Sequence, residues 1–124
     1  MIGVSYKYNC IINRVVDGDT VDVDIDLGFG CWLKKQRVRL RDFDAPEVRT
    51  RDLFEKELGL AAKEFVEKHL PVGSSQVLCS YEYNPDEYGR IIGDFQLSAD
   101  VIVQTTCAYL TELMIQEGYA EEYV

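Results

Sequence analysis

The segment Thr20 to Leu27 alternates Val21, Val23 and Ile25 with Asp22, Asp24 and Asp26. A period of two puts the branched apolar side chains on one face of an extended chain and the carboxylates on the other. A helix would scatter both sets around its circumference, so this stretch reads as a half-buried strand with one wet face. Its neighbours read the same way. Asn9 to Val15 suits a first strand, Asp17-Gly18 is a tight-hairpin signal, and Gln36 to Arg41 places Val38 and Leu40 on one face with arginines on the other. The chain is therefore expected to open as a three-stranded meander. Gly28-Phe29-Gly30-Cys31-Trp32 is a flexible tip with two aromatics, and Ala45-Pro46 marks the exit from the third strand.

Beyond this meander the period changes. From Asp52 or Gly59 to His69, Leu58, Ala61, Ala62, Phe65 and Val66 recur at helical spacing, and Pro71 with Gly73 ends the run. Gln76 to Tyr83 and Arg90 to Leu97 read as two further strands joined by Asn84-Pro85-Asp86. A last helix is expected from Thr105 or Thr106 to about Glu117, with Gly118 as its C-terminal stop. The fold class expected is mainly β with helices: a five-stranded OB-fold Greek-key barrel with two or three α-helices, residues 1–124 forming one domain.

A chain of 124 residues buries enough surface to fold without a metal or disulfide staple. No apolar run is long enough to span a bilayer, so no membrane partner is expected. The N-terminal residues lack the basic start and apolar stretch of a secretory signal, which points to an intracellular protein. Cys10, Cys31, Cys79 and Cys107 are widely spaced with no Cys-x-x-Cys, and His69 is the lone histidine, so free thiols are expected rather than a zinc or redox motif. The net charge of −9 argues against tight, extended nucleic-acid binding, because Lys and Arg contacts to phosphate supply most non-specific affinity. Against that total, Arg37, Arg39, Arg41, Arg49 and Arg51 gather positive charge in one short stretch.

Three segments carry the chemistry: Val16 to Val21 with Asp17-Gly18-Asp19-Thr20, Val38 to Glu47 with Arg39 and Asp44-Ala45-Pro46-Glu47, and Tyr88-Gly89-Arg90. Asp19 and Asp44 are hard oxygen donors of the kind Ca²⁺ or Mg²⁺ accepts; each could equally close a turn. Arg39 and Arg90 can fork onto non-bridging phosphate oxygens, and the bland alternative for Arg39 is a cross-strand pair with Asp22, Asp24 or Asp26, the role expected of Arg37 and Arg41. Glu47 could deprotonate or orient a water, or be an exposed loop acid. Tyr88 could donate to phosphate or pack at a strand entrance. His69, at a helix end, reads as a solvated residue and not a catalyst; Phe29 and Trp32 could stack on bases or fold onto the barrel.

In their order and context these motifs resemble the staphylococcal nuclease (thermonuclease) family, and the resemblance runs from about Asn9 to about Tyr123, including Gly59, Ala62 and the segment Leu110 to Ala120. The resemblance implies a Ca²⁺-dependent endonuclease, with Mg²⁺ or Mn²⁺ as alternatives, acting on DNA and RNA and leaving 3′-phosphates. It implies metal ligation by Asp19, Asp44 and the main-chain carbonyl of Ala45, phosphate clamping by Arg39 and Arg90, water orientation by Glu47 and a phosphate contact from Tyr88. The expected substrate is single-stranded and the expected state a monomer. Glu87 stands where the staphylococcal enzyme has a lysine, Ala45 where it has a threonine, and the Gly28 to Lys35 loop is longer here. The alternative is a non-catalytic module of the same fold binding nucleic acid or protein.

Overall fold

Residues 6–40, 43–44, 53–80, 91–119 and 121–122 are described by the computed structural model, with 43–44 and 121–122 described at the backbone. Strand β1 (Tyr6–Asp17) turns into β2 (Thr20–Gly28), which turns into β3 (Cys31–Leu40). The two-residue strand β4 (Phe43–Asp44) follows, then helix α1 (Leu53–His69), β5 (Ser75–Ser80), β6 (Ile91–Gln96), helices α2 (Ala99–Thr105) and α3 (Leu110–Gln116), and the short β7 (Glu121–Glu122).

The barrel closes in the order β1-β2-β3-β6-β5, with β5 returning antiparallel to β1 and β6 lying parallel to β3. Five strands with this crossover, and helices packed on the barrel, make an OB fold, as the alternating pattern led us to expect. Val21, Val23 and Ile25 meet Ile12, Val15, Val38, Leu78 and Phe95 in one buried cluster, so the inner face of β2 is the one the alternation predicts.

Several elements depart from the expected boundaries. The strands run longer at the first hairpins, and the Gly28 to Lys35 segment is not a loop: β3 begins at Cys31, and only Phe29 and Gly30 separate it from β2. The strand continues because an extra residue at Lys34–Lys35 is absorbed as a β-bulge opposite Asp24. Helix α1 seats on the barrel through Gly59, Ala62 and Val66, with Phe65 partly buried; Leu58 and Ala61 face outward. Small residues at the contact let the helix lie close, which narrows the buried stripe to one row.

The last helix starts later than expected. Ala99 to Thr105 forms a separate helix ended by Thr106 in the left-handed conformation, and the chain then returns to the sheet, where Leu97 N donates to Ala108 O and Gln96 bridges Tyr109, before α3 begins. The β4–β7 pair, with Asp44 opposite Glu121, was also unanticipated because each strand has only two residues. The expected turn at Asn84-Pro85-Asp86 lies outside the described residues.

All four cysteines are free; Cys10, Cys79 and Cys107 are buried, and burial pushes the Cys10 thiol up to about 12. No described helix is long and apolar enough to cross a membrane.

Candidate functional site

The Asp17-Gly18-Asp19-Thr20 segment forms a two-residue connection in which Asp17 pairs with Thr20, leaving Gly18 and Asp19 at the centre. The main-chain carbonyl of Asp19 accepts from Leu40 N at 2.8 Å, which ties the turn to the end of β3. Thr20 sits opposite Arg39 in the β2–β3 ladder, so Arg39 is delivered beside Asp19 by strand register. Asp19 Oδ2 lies 3.5 Å from Arg39 Nη1, Asp19 Oδ1 accepts from the Thr20 hydroxyl at 2.9 Å, and Arg39 Nη1 donates to Leu40 O at 3.1 Å.

Both charged side chains are largely shielded, at 16% exposure for Asp19 and 18% for Arg39. The geometry gives the two arginines of β3 different partners. Arg39 does not take the acids of β2: Arg37 does so, donating from Nε to Asp22 Oδ1 at 2.8 Å and from Nη2 to Asp22 Oδ2 at 3.1 Å. Asp19 lies at the centre of the turn with its carboxylate turned to Arg39 and the Thr20 hydroxyl. Thr20, 6% exposed, has a role that the motif alone does not reveal: its hydroxyl fixes the orientation of the carboxylate beside it.

Asp44 is placed by its backbone on β4, four residues after Leu40 and paired with β7. Ala45, Glu47, Tyr88 and Arg90 lie outside the described residues. Ile91 and Ile92, which directly follow Arg90 in the chain, pair with Val38 and Arg39. Among the described residues no three His, Cys, Asp or Glu side chains gather as a ready-made metal cage. The donor chemistry nevertheless fits a hard cation, since Asp19 offers an oriented, part-buried carboxylate and such ions accept few protein oxygens with waters completing the shell.

Residues 37–124 match the family described as staphylococcal nuclease homologue. The chain belongs to this family. It is also similar to the thermonuclease of Staphylococcus intermedius, with 35% identity over 83 residues, an alignment covering 66% of this chain and 45% of that protein. The chain thus spans less than half the length of the curated relative it matches. The staphylococcal nuclease match begins at Arg37, so the turn that carries Asp19 precedes the matched span; the Asp19–Arg39 geometry joins the two parts.

His69 is half-buried, not solvated, with its ring 4.8 Å from that of Phe65, which in turn stacks on Tyr119 at 4.4 Å. Burial, with Lys68 nearby, pulls its pKa down. Its ring packs on Phe65 of the same helix. Phe29, by contrast, is fully exposed at the hairpin tip, so the reading in which it folds onto the barrel fails.

Proposed function

We propose that this chain is a metal-dependent endonuclease hydrolysing phosphodiester bonds of single-stranded DNA and RNA, using Ca²⁺ and leaving 3′-phosphates, as one nuclease-like domain in a monomer. The observation that carries the reading is the Asp19–Arg39 pair held at 3.5 Å by strand register in a chain of this family. The thermonuclease relative supports the same direction.

Asp19, Asp44 and the carbonyl of Ala45 would hold the cation, which supplies positive charge to the phosphate when bound. Arg39 and Arg90 present planar cations to the non-bridging oxygens, where charge builds during displacement. The attacking water bonds to phosphorus and loses its proton to Glu47, the bond to the 5′ oxygen breaks, and that oxygen leaves protonated from solvent. Tyr88 donates to a phosphate oxygen. Such a site grips phosphate and sugar, so low sequence specificity follows.

The test is cleavage of single-stranded DNA and RNA at low salt with Ca²⁺, Mg²⁺, Mn²⁺ or chelator. Calcium-dependent cutting is expected, reduced about 100-fold or more in Glu47→Ala and in Arg39→Lys, which keeps the charge but not the fork. Unchanged turnover in both variants would remove the site assignment. A folded protein that cuts under none of these conditions would be the non-catalytic module, with Glu87 and the acidic surface of a chain of net charge −9 opposing substrate capture.

A further inference from the structure

The β2–β3 ribbon carries aromatic surface that the core does not use. Phe29 is fully exposed, and Leu27, Trp32 and Leu33 are each more than two-fifths exposed. Phe29 has φ 57 and Gly30 φ 76, the two consecutive left-handed residues of a tight hairpin turn. Asn-Gly is the unstrained choice for such a turn; a phenylalanine there holds its ring in solvent at a backbone cost.

Register then places Trp32 on the same face as Arg39. Thr20, Asp22 and Asp26 lie opposite Arg39, Arg37 and Trp32, on the face turned away from buried Val21, Val23 and Ile25. Counting by twos from Arg39 down an unbroken strand would reach Arg37, Lys35, Leu33 and Cys31, which leaves Trp32 on the inner face. The bulge at Lys34–Lys35 reverses that parity. Its anchor is Asp24, on which Lys35 N, the Asn13 amide and Lys34 Nζ converge at 2.8, 2.8 and 3.5 Å, with Lys35 at φ 56. Lys34 Nζ also stands 5.0 Å from the centre of the Trp32 ring. One face of one ribbon thus presents Arg39, Arg37, Lys34 and Trp32 in sequence, with Phe29 at its apex.

We infer that this face is a track for single-stranded nucleic acid, with bases stacking on Trp32 and Phe29 while the strand runs past Lys34 and Arg37 to Arg39. The inference rests on the nuclease reading, which it extends to an outlying grip on the substrate. With one residue taken up by the bulge, Trp32 and Arg39 stand opposite Asp26 and Thr20, six steps or about 20 Å apart, a span that a stacked single strand bridges in about six nucleotides. The acids of the face argue for stacking over charge as the main attraction: Asp22 and Asp24 already pair with Arg37 and Lys34, so the track is close to neutral. An anionic lipid surface would meet Asp22, Asp24 and Asp26 without gaining base stacking.

Trp32 is the chain's one tryptophan, so its fluorescence reports on the tip directly. Oligothymidylate of about ten nucleotides is titrated in chelator, with cleavage measured separately in Ca²⁺. Saturable quenching is expected, its midpoint raised about fivefold or more in Phe29→Ser and in Lys34→Gln, with circular dichroism showing both variants folded. Cleavage with unchanged Trp32 emission would overturn the track and leave the nuclease reading standing. Quenching without cleavage in any metal would sustain the track and overturn the nuclease reading. Emission that ignores the oligomer but shifts to the blue with phosphatidylserine vesicles would overturn the track in favour of a lipid contact.

Discussion

At the scale of single residues, the most consequential side chain outside the site is Asp94, 4% exposed on β6. It accepts from the Thr111 hydroxyl, from Thr111 N at 3.3 Å and from Phe95 N at 2.8 Å. Burial nevertheless dominates and lifts its pKa from 3.8 to about 6. The Thr111 hydroxyl suits either state, since it can donate to a carboxylate or accept from a carboxylic acid. Between those two pH values the folded protein binds more protons than the unfolded chain, so the contribution of Asp94 is full below about pH 4 and declines as pH rises through about 6. Urea unfolding across that range should show the stability of the wild type falling relative to Asp94→Asn by roughly 2–3 kcal/mol. A difference constant with pH would mean that Asp94 folds with an ordinary carboxylate.

At the scale of elements, β5 and β6 approach so closely that Gly93 has no room for a side chain. A Cβ there would stand 2.7 Å from Cys79 O and 3.1 Å from Leu78 Cδ1. The nearer atom is backbone within the barrel ladder, where Ser80 pairs with Gly93, so the strand itself must move. Gly93→Ala is expected to lower stability by about 1–3 kcal/mol, read as a shifted urea midpoint with the m-value retained. Stability equal to wild type would show that the pairing is slack. The elements also divide by how local their code is. The strands of the meander were legible because each alternates along its own length; Gly59 and Ala62 on α1 were legible as helical positions, but not the narrowness of the row they make. The bulge was hidden because Lys34-Lys35 has the composition of a loop, and α2 because the turn back to the sheet at Thr106 depends on pairing with β6.

At the scale of the whole molecule, the excess of 22 acids over 13 lysines and arginines limits how the proposed nucleic-acid substrate would be held. On the proposed reading, charge would repel a polyanion at long range while Arg39 and its neighbours would act within the site, so affinity should be modest and carried by few phosphate contacts. Binding of a non-cleaved single strand, measured by anisotropy in chelator, should weaken with log salt at a slope of magnitude about 1–3, each neutralised phosphate adding roughly 0.7. A slope beyond about 5 would require a distributed basic surface. The barrel gives such a localised grip its rigidity: Asp19 and Arg39 sit where the β1–β2 turn is tied to the end of β3 by the Leu40 N–Asp19 O bond.

The sequence by itself determined the period of each element, the turn between Asp17 and Thr20, and the identity of Asp19 and Arg39 as a carboxylate and a planar cation worth following. These are properties of neighbours along the chain, and local sterics and amphipathicity encode them. Tertiary structure alone decided that Arg39 meets Asp19 while Arg37 meets Asp22, that Asp94 is enclosed with Thr111 on another element, and that Trp32 shares a face with Arg39. Each of those depends on register, where a shift of one residue exchanges inside for outside, and register is set by bulges and by barrel closure between residues distant in the chain.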